Sequence, residues 1–338
     1  MRDSDDALLP IAGTPLHRLP GLAGELGLSD LWVKREDLTG LAGGGNKARK
    51  LAALVAEARR QGCDHLVTGG GAQSNHARMT AAAANVAGLG CDLVLTRLAA
   101  EPVASGNVLL DEVLGARVRW LVGAALPYEE LEEAIRARAR ELAEQGRKPY
   151  ALPIGGSSPE GVACYAEVAR ELDEALRPDL VVVASGSGGT HAGLVAGLGE
   201  HARVLGVDVG ARPDLARAVE ELAAQVAART GRPEPTGRCA LDTGRIGAGY
   251  GEPTGPALEA LLLAARTDGL LLDPVYTAKA MAGLVAAARE GRIARGDRVV
   301  FLHTGGLPGL FATRYAGWLT TSTPAGGATG SGAGAATS

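Results

Sequence analysis

Leu180-Val181-Val182-Val183-Ala184-Ser185-Gly186-Ser187-Gly188-Gly189-Thr190-His191-Ala192-Gly193 is the stretch that decides the fold. Its first five residues are apolar without alternation, the pattern of a strand covered on both faces in the middle of a parallel sheet. Small residues follow and open another small-residue helix. A turn of that kind exposes backbone N–H groups at the positive end of a helix and can cradle a phosphate. Glycines at 186, 188, 189 and 193 do not follow the order of a dinucleotide fingerprint, and no Gly-Lys-Ser or Gly-Lys-Thr marks a P-loop.

The same rhythm of strand, turn and helix extends outward from this stretch in both directions. Strands are expected at 31–34, ending in the charged loop Arg35-Glu36-Asp37, and at 65–68, 91–95, 118–121, 204–209, 270–272 and 299–303, with an extended segment near Thr14-Pro15-Leu16. Helices are expected through about 60, and at 77–87, 108–114, 128–145, 161–176, 215–230, 256–265 and 276–290. The fold class is therefore α/β, with open twisted, mainly parallel sheets covered by helices. From about 320 the sequence contains only Ala, Gly, Ser, Thr and one Pro, and a disordered tail is expected.

Composition narrows the function. The chain has 338 residues, 46% of them hydrophobic, enough to bury a large core and form about two domains. Aromatic residues are only 3%, so Ala, Val and Leu must fill the interior, and each of the six tyrosines merits separate attention. A net charge of −4 offers no basic field for nucleic acid or an anionic membrane, and a small molecule is the expected partner. Cys63, Cys91, Cys164 and Cys239 show no metal spacing and no disulfide framework, which fits reduced thiols in a cytoplasmic enzyme with no metal. The acidic N-terminus carries no signal-peptide core, and no apolar run reaches the ~20 residues that span a bilayer.

A second stretch, Gly43-Gly44-Gly45-Asn46-Lys47-Ala48-Arg49-Lys50-Leu51, delivers a lysine to the first turn of an apolar-periodic helix. The positive end of a helix is a poor place to hold an ammonium, so the neutral amine is favoured. Desolvation and the neighbouring charges of Arg49 and Lys50 are expected to add to this, as in lysines that form Schiff bases. A phosphate cradle without nucleotide signatures, joined to such a lysine, points to pyridoxal 5′-phosphate.

Five motifs together resemble one family. They are the lysine stretch, Gln73-Ser74-Asn75-His76, the 185–193 turn, Leu272-Asp273-Pro274-Val275-Tyr276-Thr277 and His303-Thr304-Gly305-Gly306. In this order they resemble the 1-aminocyclopropane-1-carboxylate deaminase and D-cysteine desulfhydrase family, enzymes of fold type II in the tryptophan synthase β superfamily. The resemblance runs from about Leu16 to Tyr315. It implies that Lys47 carries the cofactor, that Lys50 with Ser187, Gly188, Gly189 and Thr190 holds its phosphate, and that Asn75 lies beside the ring hydroxyl. Ser74, Asn75 and His76 would receive the substrate carboxylate, while Tyr250 and Tyr276 would face the substrate from the other side. Lys47, Ser74, Tyr250 and Tyr276 are thus the candidate catalytic residues, and a homodimer is implied.

Two positions separate the family's activities. Where the cyclopropane-opening deaminases carry Glu after the tyrosine of Asp-Pro-Val-Tyr, this chain has Thr277; where they carry Leu after the last strand's His, it has Thr304. A carboxylate at the pyridine nitrogen keeps the ring protonated and a strong electron sink, whereas a hydroxyl leaves it neutral. A neutral ring suits β-elimination, in which thiolate leaves as the Cα proton is removed. D-cysteine desulfhydrase is accordingly expected over the deaminase, with L-cysteate sulfo-lyase or another C–S lyase as relatives of the same pocket. Thr304 is expected at the ring nitrogen and Thr277 beside the substrate. His191 receives no role, and His303 is expected to be structural. A small domain at 51–159 inserted in a large one (1–50 with 160–319) would place the site at the strands' carboxyl ends.

Overall fold

The computed structural model describes residues 9, 11–97, 104–123 and 126–322. In chain order these form β1 (Leu16–Arg18), α1 (Pro20–Leu26), β2 (Asp30–Lys34), α2 (Lys47–Arg60), β3 (His65–Gly71), α3 (Asn75–Ala87), β4 (Gly90–Arg97), α4 (Gly106–Val113), β5 (Arg117–Val122), α5 (Tyr128–Glu144) and β6 (Pro149–Ala151). The second half continues with α6 (Pro159–Ala175), β7 (Leu180–Ser185), α7 (Gly189–Leu198), β8 (Val204–Asp208), α8 (Leu215–Arg229), β9 (Leu241–Asp242), α9 (Gly255–Asp268), α10 (Thr277–Arg289), β10 (Arg298–Leu302), α11 (Leu307–Leu310) and α12 (Thr313–Ser322).

The strands make two sheets. Six strands run in the order β1-β2-β10-β7-β8-β9, and four in the order β5-β4-β3-β6. The four-stranded sheet is wholly parallel, and in the larger one β1 against β2 is antiparallel. Val181, Val182 and Val183 are inaccessible to solvent, as their unbroken apolar run requires. Helix α10 is buried along most of its length, with Ala278, Ala280 and Leu284 at 0% exposure. Alanine and glycine let it and its neighbours approach the sheet closely, which is how a chain with few aromatics reaches interior packing density.

The α6/α7 contact shows the same economy of side-chain volume. Gly193 and Gly197 lie on one face of α7, four residues apart, and that face meets α6. A Cβ at Gly193 would stand 2.5 Å from Tyr165 Cβ, and one at Gly197 2.4 Å from Ala169 Cβ and 2.5 Å from the Ala166 carbonyl. Helix α7 is buried on all sides, so it can carry the turn at its start to one fixed place.

Four differences from the sequence reading have physical causes. Residues 270–272 are not a strand: Leu270 and Leu272 are buried and Leu271 exposed, but the Leu271 carbonyl accepts from His303 Nε2 (2.8 Å) instead of a strand partner. The edge strands β6 and β9 and the helix α1 are too short for a periodic signal of their own. Glu36, read as part of a charged loop, is completely buried. Helix α12 continues through Ser322, past the expected start of the tail, and residues from 323 onward lie outside the described residues.

Replacing Gly197 by Ala tests the helix contact. Helix propensity alone favours Ala by ~1 kcal/mol, whereas overpacking costs about 1–3 kcal/mol. The obstructing atoms are backbone and Cβ, which cannot rotate away, so the thermal midpoint is expected to fall by a few degrees. A midpoint that stays level or rises would show that α6 and α7 can part freely.

Candidate active site

Lys47 is the first residue of α2, and three glycines bring it there. Gly43, Gly44 and Gly45 have φ of 85°, 75° and 133°, which L side chains rarely adopt, and a Cβ at Gly44 would fall 1.8 Å from the Asp37 carbonyl. Thr39 Oγ1 both donates to the Gly45 carbonyl and accepts from its N–H, each at 2.9 Å. Asn46 N–H donates to the Thr304 carbonyl (3.0 Å), tying the lysine turn to the end of β10. Beneath it the Tyr165 hydroxyl lies 2.9 Å from both the Asn46 carbonyl and Glu36 Oε2. Glu36 also accepts from Thr14 Oγ1 (2.6 Å) and from Arg49 Nε (2.8 Å) and Nη2 (3.0 Å). A buried carboxylate is thus fully paired, and the turn rests on it.

Burial lowers the Lys47 amine to about 8, with Asp273 acting to raise it and Arg78 to lower it further. Arg78 therefore adds to the charge near Lys47, where the sequence suggested Arg49 together with Lys50. Arg49 is turned away by its bond to Glu36.

Lys50, one turn along α2, is 1% exposed. Its ammonium donates to the Gly155 carbonyl (3.1 Å) and makes no ion pair among the described residues. Burial, and after it the charge of Lys47, lowers this amine to about 7. It points at the start of α7, where Gly188 (φ 86°) provides no side-chain cap. A Cβ at Gly189 would meet Ser157 Oγ at 2.4 Å and Lys50 Nζ at 2.8 Å. Ser187 Oγ accepts from Ser157 Oγ (2.8 Å), and Thr190 Oγ1 accepts from Asn46 Nδ2 (2.8 Å). Uncapped helix N–H groups, small side chains and a buried amine without an acid make a place for an anion.

Across the cleft, the glycines ending β3 lead into Ser74, the N-cap of α3, whose Oγ accepts from Ala77 N–H (3.1 Å). His76 Nε2 lies 3.1 Å from Thr68 Oγ1. Burial, then Lys47 and Lys50, lower this imidazole to about 3, so it is neutral at ordinary pH. Asn75 Oδ1 accepts from Arg78 Nη1 (3.1 Å) and Asn107 Nδ2 (3.0 Å), and Asn75 does not line the cleft. Arg78 Nη2 donates in turn to the Gly44 carbonyl (3.0 Å), joining α3 to the lysine turn.

Tyr250 and Tyr276 meet through their hydroxyls, with ring centroids 6.0 Å apart in an edge-on arrangement. Desolvation in the cleft raises both phenols, that of Tyr276 well above its ordinary value, although Tyr250 keeps 36% of its surface exposed. The Lys47 amine lies 5.4 Å from the centre of the Tyr276 ring. Asp273 holds Tyr276 in place: its Oδ2 accepts from the N–H of Val275 and of Tyr276, each at 3.0 Å.

Lys47, Lys50, Ser74, His76, Ser187, Gly188, Thr190, Tyr250, Tyr276 and Thr304 all line one cleft of about 820 Å³ at the carboxyl ends of β3, β7, β8 and β10. Thr277 is a correction to the sequence reading. Its hydroxyl donates to Asp273 Oδ1 (2.7 Å) and accepts from Asp273 N–H (2.8 Å), and it stays buried outside the cleft. Gly189 likewise stands behind the lining, against Lys50. Thr304, by contrast, is at the cleft with no side-chain hydrogen bond among the described residues. His303 is structural as expected: Nε2 reaches the Leu271 carbonyl and Nδ1 accepts from Gly305 N–H (3.1 Å). His191 packs inside α7, 3.3 Å from Ser185 Oγ, away from the cleft.

Glu36, Arg78, Asn107, Tyr165 and Asp273 were missed as supports of the site. A lone arginine in the alanine-rich α3 and an aspartate before proline were the available signals. The described residues contain no group of three or more His, Cys, Asp or Glu able to hold a metal. Among them, no helix is long and apolar enough to cross a membrane.

D-cysteine desulfhydrases of Salmonella newport (strain SL254) and Klebsiella pneumoniae (strain 342) are each 39% identical to the chain, over 89% of its length and 94% of theirs. A crystal structure of an ACC deaminase homologue is 37% identical, with a TM-score of 0.83 over 93% of this chain and 94% of that one. The processed form of threonine deaminase isoform 2 from Solanum lycopersicum, at 17% identity and a TM-score of 0.63 over 90% of each chain, shares the fold. The sequence pattern of the pyridoxal-phosphate dependent enzymes matches residues 7–305, and the chain belongs to that family, with pyridoxal 5′-phosphate as its cofactor.

Proposed function

We propose that the protein is a lyase that eliminates the β-substituent of a small amino acid, with D-cysteine and water giving pyruvate, ammonia and hydrogen sulfide. The observation that carries this reading is the meeting of Lys47 with the Tyr250–Tyr276 pair in one cleft, where the hydroxyl of Thr304 has no hydrogen-bond partner among the described residues. Relatives bearing the D-cysteine desulfhydrase name support the substrate.

The residues fit the cofactor. Lys50, Ser187, Gly188 and Thr190 would hold its phosphate, with Gly189 leaving them room. Lys47 would hold its aldehyde, and Thr304 would face the ring. When bound, the cofactor supplies a carbonyl for the substrate nitrogen and a ring that takes up the electron pair left at Cα. The uncharged threonine suits an elimination in which that pair moves on at once.

The protein's own groups do the remaining work. The start of α3, with Ser74 and His76, would receive the substrate carboxylate, because helix N–H groups favour an anion there. His76, being neutral, leaves that attraction to the helix. Lys47 Nζ, lowered to about 8 by burial, has a neutral fraction able to take the Cα proton. One O–H of the tyrosine pair is used between the two rings, which leaves the other to protonate the departing sulfur. Raised phenols stay protonated at neutral pH. The division into a small unit at 51–159 and a large remainder, a homodimer and a cytoplasmic location complete the proposal.

A second reading, opening of the cyclopropane ring, is favoured by the likeness to the ACC deaminase homologue. A panel of D- and L-cysteine, β-chloroalanine, cysteate and 1-aminocyclopropane-1-carboxylate separates them. Pyruvate and sulfide from D-cysteine are expected to dominate; 2-oxobutyrate as the main product would transfer the assignment to the deaminase. In Lys47→Ala the visible absorbance of the holoenzyme should disappear and turnover drop by about 10²–10⁴-fold. Retention of both would remove Lys47 from the mechanism.

Lys50 gives a test with a definite sign. Its buried amine is lowered from 10.5 to about 7, so the cofactor-free fold is penalised where the amine is charged in both states, below about 7. That penalty fades as pH rises toward 10.5, where both states are neutral. Lys50→Met should therefore raise the thermal midpoint of the cofactor-free protein near neutral pH, with the gain vanishing at alkaline pH. Affinity for pyridoxal 5′-phosphate should fall about ten- to a hundredfold, the weight of one charged hydrogen bond. A midpoint difference independent of pH, or unchanged affinity, would contradict the role given to Lys50.

A further inference from the structure

We infer that Lys279 is a positioning residue for the reaction: its ammonium clamps the glycine-rich loop 243–254 so that the Tyr250 hydroxyl is held against Tyr276. The inference rests on the reading that this tyrosine pair faces the substrate.

Lys279 is the third residue of α10 and has 0% exposure. Its Nζ donates to the Ile246 carbonyl at 2.7 Å and the Gly249 carbonyl at 3.2 Å. Both carbonyls belong to the connection between β9 and α9, which has no regular structure at Tyr250. Gly247, Gly249 and Gly251 there have φ of 70°, 152° and 77°. Glycine loses more freedom on ordering than any other residue, so this loop needs external ties to present one fixed side chain. On the far side of Tyr250, the Tyr315 hydroxyl donates to the Gly251 carbonyl (2.9 Å) and Arg314 pairs with Glu252. Lys279 ties the near side, before Tyr250.

The geometry also explains why a lysine is buried in an alanine-rich helix. Tyr276 stands three residues before Lys279, and the Asp273 carboxylate fixes Tyr276 through its backbone N–H. One helix start thus holds both tyrosines, Tyr276 by sequence adjacency and Tyr250 by the reach of an ammonium. Burial lowers the Lys279 amine to about 8, while Glu252 from the loop, Asp208 from the end of β8 and Asp273 act to raise it. The clamp is therefore charged near neutral pH, and its bonds to carbonyls are of the stronger, charge-assisted kind.

The test compares holoenzymes of Lys279→Met, Tyr250→Phe and the double variant, by kcat and KM for D-cysteine and by amide exchange of the 243–254 loop. Lys279→Met is expected to keep the cofactor's visible spectrum, to speed exchange at Gly247–Gly251 and to lose kcat by up to about 10²-fold, the scale of a misplaced catalytic group. Because the loss is routed through Tyr250, the double variant should be no slower than the slower single, within about twofold. Lys279→Gln, which keeps N–H donors for the carbonyls, should recover part of the rate and serves if the Met variant does not fold. Multiplying losses in the double variant, full kcat in Lys279→Met, or loop exchange unaltered by it would each overturn the clamp. If the unsubstituted enzyme does not turn over D-cysteine, the proposed function fails, and the exchange comparison still decides whether Lys279 orders the loop.

Discussion

An amine buried without an acid is the constraint on which this architecture turns. Lys50 enters the interior with one carbonyl as its partner, facing the uncapped start of α7. In the absence of an anion, this arrangement works against the fold. Under the proposed function, a phosphate between Lys50 and the α7 turn would convert both liabilities into a binding site, and the glycines would leave the room it needs. The chain would then accept local instability where it holds its cofactor, and the surrounding helices must be rigid enough to tolerate it.

That rigidity comes from close approach more than from bulk. Glycines let α7 press against α6, and the buried Glu36 network holds the lysine turn from below. Each bond in that network is between groups distant in sequence, as Tyr165 and Glu36 are (129 positions). The Lys47 turn and the start of α7 are joined in the same way, by Asn46 to Thr190 across 144 positions. Two helix starts, α2 and α7, then converge on a small volume from different parts of the chain, with α3 opposite them. All three present positive ends, which suits a cofactor and a substrate that both carry anionic groups.

Much of this was legible in the residues. The unbroken valine run of β7 announced a parallel sheet, and apolar periodicity located most long helices to within a few positions. Glycine-rich turns marked the strand ends where the site lies. What failed was local pattern without a partner: 270–272 alternates like a strand yet its Leu271 carbonyl accepts from a histidine, and Glu36 looks like a surface charge but is a fully paired carboxylate in the core. Thr277 and Asn75 were read from motif position, whereas their side chains are engaged by Asp273 and by Arg78 with Asn107.

By itself the sequence determined the alternation of strands and helices, the placement of a lysine at a helix start and the existence of a small-residue anion cradle. These follow from interactions within a few residues, namely side-chain periodicity and the freedom of glycine. Tertiary structure alone decided that Thr304 rather than Thr277 is free at the cleft, that Arg78 rather than Arg49 adds to the charge near Lys47, and that Tyr250 reaches Tyr276. Those outcomes depend on which strand ends become neighbours, and on which polar groups lose water together when they do. No local spacing encodes either.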